Sequence, residues 1–522
     1  METKSAGIRS FSAGDLVMSC DPLVWMLKRS AYKTHCAYCL RKSPELRTCS
    51  GCQLHRYCNS ACQTADWKVE HKLECAMLKD LVSTDPLGTV NALLKAGLPA
   101  GSLAANTTAL PPPPPVDLFT FSAVSSDLTG KLANKIKKNT MIDIPGIGPK
   151  SVKDILLTFP TNPSQPRAER MVQFMQPNVD SKNSTTFGIP SPDIMTYCGM
   201  LMYNGVDIFD SPDTTVPIGR AVYAQAPVGR MTPVCMDINV ELNRRGRRLV
   251  IHAVEDIPQY TGLRDLRYSE MEEAFCMTRA ERRAEFEGRH KYPCTCRRCS
   301  EEYDADINSL KCVTVGCTNR IPSDSRALAP CAECGALNGH RLKQFRGFLQ
   351  QHEAIKTSQP REQHEAMIMQ LCKEMDAAGI LQPDAHFRFI CGWKLAEKHY
   401  NENRFADGWK MMREFVTCVR NVCPKYADMR AFLLVSAAKF TAEALENRIL
   451  HGVSKLSRPA KQELDTLARQ ACCSIVDIGN EGKDIFALLF GEDSTEAQMS
   501  HNAMEYVISA VCRIRQHFPD NK

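Results

Sequence analysis

Between residues 36 and 75 the chain carries seven cysteines and one histidine: Cys36, Cys39, Cys49, Cys52, Cys58, Cys62, His71 and Cys75. They arrive as C-x2-C, C-x2-C, C-x3-C and H-x3-C, separated by nine, five and eight residues. Ligands in close pairs are what structural zinc sites use, and eight of them make two tetrahedra. Cysteines that only fill a core have no reason to come in such pairs. A C2H2 finger would supply two cysteines per unit, and a RING would place its first histidine earlier in the series. This segment is therefore expected to fold around metal.

The pattern resembles a MYND finger, and Trp67 before His71-Lys72-Leu73-Glu74-Cys75 matches that family closely. The resemblance implies interleaved pairs, with Cys36, Cys39, Cys58 and Cys62 on one ion and Cys49, Cys52, His71 and Cys75 on the other. The rest of the composition is that of a globular protein: 522 residues, 43% hydrophobic, enough for three or four domains. No apolar run approaches a membrane span, residues 431–438 being among the longest, so no membrane association is expected. The start, Met-Glu-Thr-Lys, has no signal-peptide core, and the 25 cysteines read as metal ligands and reduced thiols of cytoplasm and nucleus rather than as disulfides. A net charge of +6 is too small over this length to imply nucleic acid.

A second cluster, Cys294-Thr295-Cys296-Arg297-Arg298-Cys299, offers three ligands and needs a fourth from elsewhere. C-x-C-x2-C resembles the post-SET segment of SET-domain lysine methyltransferases, whose missing ligand is an upstream cysteine; Cys235 is the candidate. Between them, residues 246–257 read as a strand with Leu249, Ile251 and Ala253 in period two, followed by a turn. Residues 4–22 resemble the first two strands of a SET domain split by a MYND finger. The whole order is similar to the SET-and-MYND-domain (SMYD) family of protein-lysine methyltransferases, as a divergent member. The implied fold is α+β and multidomain. Residues 1–35 would be the SET N-terminal part, 36–75 the MYND finger, and 76–190 a linker and helical insertion. The SET core would fill 191–290, the post-SET zinc and a zinc-ribbon-like segment 291–340, and an all-α, TPR-like domain 341–522.

The ribbon reading rests on Cys312-x4-Cys317 and Cys331-x2-Cys334, two pairs thirteen residues apart. Fifteen cysteines and His71 would then fill four zinc sites. The other ten, such as Cys391 and Cys473, are expected to be buried apolar fillers in helices.

Methyl transfer to lysine needs a neutral amine, a dry channel and partial negative charge around the methyl group, with zinc serving only as scaffold. The resemblance puts the positioning hydroxyl on Tyr268, after the Gly262 turn. It also implies S-adenosylmethionine contacts from Asn204, in Tyr203-Asn204-Gly205-Val206-Asp207-Ile208, from Tyr292 stacked on the adenine, and from Gly7 in the first loop. Three segments depart from the family. Thr232-Pro233-Val234-Cys235-Met236-Asp237-Ile238 stands where the family has Asn-His-Ser-Cys-x-Pro-Asn. Ser5-Ala6-Gly7 replaces a Gly-x-Gly, and Arg267 replaces the serine before the tyrosine. Structural positions persist while cofactor positions erode. Two readings follow: a protein-lysine N-methyltransferase acting on histone or other lysines through a degenerate cofactor motif, or a weak or inactive scaffold whose finger captures proline-rich partners. A third, nucleic-acid binding through Arg41, Lys42, Arg47 and Arg56, is the weakest.

Five prolines at 111–115 read as a stiff solvated spacer, or as a ligand for such a finger. Residues 144–156 resemble a helix-hairpin-helix and are read as a Pro-Gly turn between two core helices. Residues 162–166 and 177–184 read as exposed loops. From about residue 340 the pattern is helical: Phe387, Cys391 and Leu395; Trp409, Met412 and Phe415; Leu433 and Ala437; Phe440 and Ala444. This tail is expected to wall one side of a substrate cleft and to leave the chain a monomer.

Overall fold

The structure is a computed structural model. It describes residues 9–28, 31–72, 75, 79, 141–144, 148–152, 204–208, 217–226, 230–245, 247–271, 274–290, 292–357, 363–402, 404–452 and 457–517. Gly7, the proline run at 111–115 and the loops at 162–166 and 177–184 lie outside these. The chain divides into two compact units, Met1–Val17 with Thr232–Asn243 and Ile251–Lys522, and Met18–Met231 with Arg244–Val250.

In the unit holding the finger, Val24–Leu27, Gly205–Ile208 and Gly219–Val222 form an antiparallel sheet with Gly219–Val222 at its centre. Every side chain of Val24–Leu27 is buried, so the strand packs on both faces. Gly219 sits opposite Leu27 and Ile208, and a Cβ there would run into the Met26 carbonyl. The finger is fixed to this sheet by Trp25, whose indole N–H donates to the Ala37 carbonyl at 3.0 Å. The Arg247 guanidinium lies over the rings of Trp25 and Tyr38, at 4.8 and 4.2 Å from their centroids.

The expected turn between core helices at 144–156 is corrected. Met141–Ile144 and Gly148–Ser151 are strands paired antiparallel, Met141 with Ser151 and Ile144 with Gly148. A four-residue run rich in β-branched side chains, closed by Pro and Gly, is too short for a helix and suits an extended pair.

In the other unit, Arg9–Phe11 pairs antiparallel with Ile257–Tyr260, and Thr232–Pro233 pairs parallel with Arg267–Tyr268. The strand expected in 246–257 is Arg248–Ala253, but it is buried from Leu249 to Ala253 rather than on alternate residues. Helices Arg279–His290 and Glu301–Ile307 flank the C-x-C-x2-C triplet. Among the described residues seven helices follow, Gly339–Thr357, His364–Ala378, His386–Asn401, Phe405–Val422, Asp428–Gly452, Arg458–Phe490 and Thr495–His517. Phe405–Val422 shows why such segments are helical: Trp409, Met412, Phe415, Val416 and Val419 recur at three- and four-residue steps and are all buried. Cys473 is exposed rather than a core filler, while its neighbour Cys472 is buried. The side chain of Cys391 lies outside the described set. Among the described residues no helix is long and apolar enough to cross a membrane.

Candidate metal centres and reacting site

Each C-x2-C pair of the finger sits on a tight turn. The Leu40 N–H donates to the Cys36 carbonyl at 3.0 Å and the Gln53 N–H to that of Cys49 at 2.9 Å. Leu40 and Gln53, each just after its C-x2-C, have φ of 65° and 58°. A side chain there costs about 1 kcal/mol or more, strain that an ion held by the turn offsets. The ribbon repeats the device with the residue that bears no such strain: Gly335, after Cys334, has φ of 72° and donates to the Cys331 carbonyl at 2.8 Å.

Among the described residues four sets of four side chains converge, with all ligand atoms of each set within 4.8 Å of one another: Cys36, Cys39, Cys58 and Cys62; Cys49, Cys52, His71 and Cys75; Cys235, Cys294, Cys296 and Cys299; Cys312, Cys317, Cys331 and Cys334. A zinc ion at 2.3 Å from each sulfur of a tetrahedron puts those sulfurs about 3.8 Å apart. The observed separations are 3.7 Å for Cys39 to Cys58, 3.8 Å for Cys49 to Cys75, 3.7 Å for Cys235 to Cys296 and 3.7 Å for Cys317 to Cys331. Cys235 to Cys299 is shorter at 3.1 Å. These residues fit zinc. Hydrogen bonding from Cys39 draws the Cys36 thiol down to about 5, and the neighbouring Cys294 sulfur pushes that of Cys235 strongly up. Sulfurs this close oppose each other's ionisation, and a divalent cation removes the conflict.

His71 is placed by a helix, Ser60–Asp66, that runs on into a π-helical turn, Trp67–His71. Asn59 caps the helix by accepting from the Cys62 N–H at 2.9 Å. His71 Nε2 lies 3.3 Å from Cys49 Sγ and 3.7 Å from Cys52 Sγ. The Tyr57 hydroxyl donates to Asp66 at 2.7 Å, and the His55 ring stacks on His71 with centroids 4.7 Å apart. Burial, then the charge of Asp66, raises the Tyr57 phenol well above its ordinary range. Sequence reasoning missed Tyr57, His55 and Asp66 as supports of the ligand shell; the aspartate between C-x3-C and H-x3-C was the available signal.

The cysteine triplet and Tyr268 are joined through the parallel pair Thr232–Pro233 and Arg267–Tyr268. The Val234 N–H donates to the Tyr268 carbonyl at 2.9 Å, and the Ser269 hydroxyl to the Cys235 carbonyl at 3.0 Å. Tyr268 is buried, and its hydroxyl lies 3.2 Å from Glu270 Oε1. Asn239, a buried residue that sequence reasoning passed over, clamps this strand. Its Oδ1 accepts from the Arg267 N–H at 2.6 Å, its own N–H donates to the Arg267 carbonyl at 3.0 Å, and its Nδ2 donates to the Asp265 carbonyl at 2.8 Å. Gly262 opens a short turn, Leu263–Asp265, in which Asp265 Oδ2 accepts from the N–H groups of Thr261 and Gly262. Those bonds, Thr261 first, hold its carboxyl below the usual range. Tyr292 is 48% exposed and meets Phe286 edge-on, with His290 beside it. Asn204 is fully buried and belongs to the other unit.

Residues 36–75 match the MYND finger family model. Human N-lysine methyltransferase SMYD2 is 38% identical over 76 residues, 14% of this chain and 17% of that protein. Human histone-lysine N-methyltransferase SMYD3 is 24% identical over 301 residues, 56% of this chain and 58% of that protein. The chain is thus similar to proteins of the SET-and-MYND-domain family, and residues 36–75 are its MYND finger. A SET and MYND domain-containing protein of Dictyostelium discoideum is also similar, 35% identical over 89 residues, 16% of each chain. The matches span less than two thirds of the length of these relatives. The higher identities belong to the shorter matches, the lower one to the match that covers more than half of this chain.

Proposed function

We propose that this protein is a zinc-dependent fold carrying an S-adenosylmethionine-dependent protein-lysine N-methyltransferase site, with a SET core built around Tyr268. The observation that carries the reading is the strand pairing that sets Tyr268 beside the Cys235 segment, with Cys294, Cys296 and Cys299 gathered on the same cysteine. Zinc would be held at all four clusters as scaffold. S-adenosylmethionine, when bound, supplies an electrophilic methyl group.

What this chain does is orient and exclude. Tyr268, buried and held at 3.2 Å by Glu270, presents one hydroxyl of fixed direction to an incoming amine. Asn239 prevents the strand from shifting under it. The exposed Tyr292 ring, seated on Phe286, offers a face for a purine. The family resemblance also assigns Asn204 and Gly7 to the cofactor. Pro233 has no N–H to give a cofactor, so cofactor affinity would be modest. The substrate is a protein lysine, histone or not, the tail walls its approach, and the chain works as a monomer in cytoplasm and nucleus.

Calorimetric titration of the zinc-loaded protein with S-adenosylmethionine tests the cofactor part. Binding that is lost in Tyr292→Ala supports it, and absence of binding to folded protein refutes it. Tyr268→Phe should lower methylation by about 100-fold or more while leaving zinc content unchanged. A second reading has its own observation. Trp67 and Val69, 42% and 46% exposed on the finger, form an apolar surface suited to a proline-rich peptide. On that reading peptide binding survives Tyr292→Ala and is lost in Trp67→Ala.

A further inference from the structure

Two of the departures from the family pattern meet in space. Asp237 stands where the family has proline and Arg267 where it has serine, and each would look like a lost residue alone. The Arg267 Nε donates to the Asp237 carbonyl at 2.8 Å and lies 3.8 Å from its carboxylate. The same carboxylate, 8% exposed, reaches Arg297 at 3.4 Å and Arg298 at 3.7 Å, the two residues between Cys296 and Cys299. Glu255 adds a second acid, 3.9 Å from Arg267 and 3.9 Å from Arg298. Arg298 is nearly fully buried and also donates to the Val422 carbonyl.

We infer that Asp237 is a positioning residue, a latch that holds the metal-binding triplet to the strand of Tyr268, so that the hydroxyl of Tyr268 and the ion on Cys235, Cys294, Cys296 and Cys299 are set together. Three guanidiniums converge on two carboxylates, and Asp237 is the group that touches all three arginines. Without it, Arg267 on one side and Arg297 and Arg298 on the other repel across the gap, and a buried charge is left short of a partner. Static electrostatics alone would act the other way. A tetrathiolate zinc centre carries a net charge of about −2, so deleting a nearby carboxylate should tighten it. The two accounts differ in sign.

The experiment uses the full chain with cadmium in place of zinc, followed by metal NMR during challenge with a chelator. The resonance of this cluster is the one missing from Cys235→Ser. A fluorotyrosine at position 268 reports on the strand through its fluorine resonance. In Asp237→Asn the cluster should release its ion about 10-fold faster, the lower end of what outer-shell partners contribute, and the fluorine resonance should move. Adding Arg267→Ser, the family's own residue, removes one of the repelling charges and should restore both in part. Release that is unchanged or slower in Asp237→Asn overturns the latch. So does a double variant no better than the single one, since a simple packing role gives additive losses. Only the importance of Tyr268 depends on the methyltransferase reading; metal release and fluorine shift are read without any methylation, so the two ideas fail separately.

Discussion

His386 is the first residue of His386–Asn401, fully buried, with Nε2 2.8 Å from the Phe275 carbonyl. That bond ties the tail to Ala274–Cys276, close after Tyr268 in sequence. Desolvation first, then the charges of Arg282 and Arg298, pull its imidazole down to about 3. A helix N-terminus disfavours the cation as well. The folded value lies below the unfolded one, so the neutral ring contributes its full stability above pH 6.5. As pH falls below that, the unfolded chain takes up a proton that the folded chain refuses, and stability is lost progressively toward pH 3. At about 1.4 kcal/mol per pH unit the whole gap is worth about 5 kcal/mol, of which about 2 kcal/mol is gone by pH 5. Zinc thiolates also protonate in acid, so the comparison must be with His386→Gln, which keeps a donor for Phe275 but does not titrate. Hydrogen exchange of the helix His386–Asn401, followed from neutral pH to pH 5, should show wild type losing about 2 kcal/mol more protection than the variant. Equal losses, or a His386 ring that titrates near 6.5 by NMR, would refute the burial argument.

Three further outcomes are expected. Elemental analysis should find four zinc ions in wild type and three in Cys334→Ser. The finger should unfold on chelation, because its small core consists of Cys36, Cys49, Cys52 and Cys75 with Tyr57 and Ala37; a finger that keeps its fold without metal would contradict this. Gly219→Ala should lower stability by about 2 kcal/mol or more, since the new Cβ meets backbone at Met26 and Leu27 rather than a side chain that can turn away. An unchanged thermal midpoint would mean that the strands Val24–Leu27 and Gly219–Val222 are not held as tightly as described.

The metal clusters were legible because ligand spacing is written locally. C-x2-C obliges the chain to turn within four residues, and the turn recurs whether Leu40, Gln53 or Gly335 occupies the left-handed position. Cys235 was different. It lies 59 residues before Cys294, nothing local marks it, and only the family resemblance proposed it for the set it joins. The hairpin at Met141–Ser151 was misread because Pro and Gly mark a turn without saying what it joins. The alternating burial expected of Arg248–Ala253 failed because a strand covered on both faces has no polar side to reveal it.

The reading of Asp237 and Arg267 as erosion took the two positions one at a time. Each was compared with its own slot in a family pattern, and a proline replaced by an acid, or a serine by a base, looks like loss when taken singly. The two charges stand thirty residues apart in sequence and meet only because Thr232–Pro233 and Arg267–Tyr268 pair in parallel. Either substitution alone would leave a charge in partly buried surroundings without its partner, a cost of several kcal/mol. Together, with Arg297, Arg298 and Glu255, they form a set in which every charge has an opposite neighbour within 4.0 Å. A drifting, unused site gathers substitutions singly, without regard for their neighbours. Paired charges at the root of the tyrosine strand are instead what continued constraint on that strand requires, and they weigh against counting those two positions as evidence of lost catalysis.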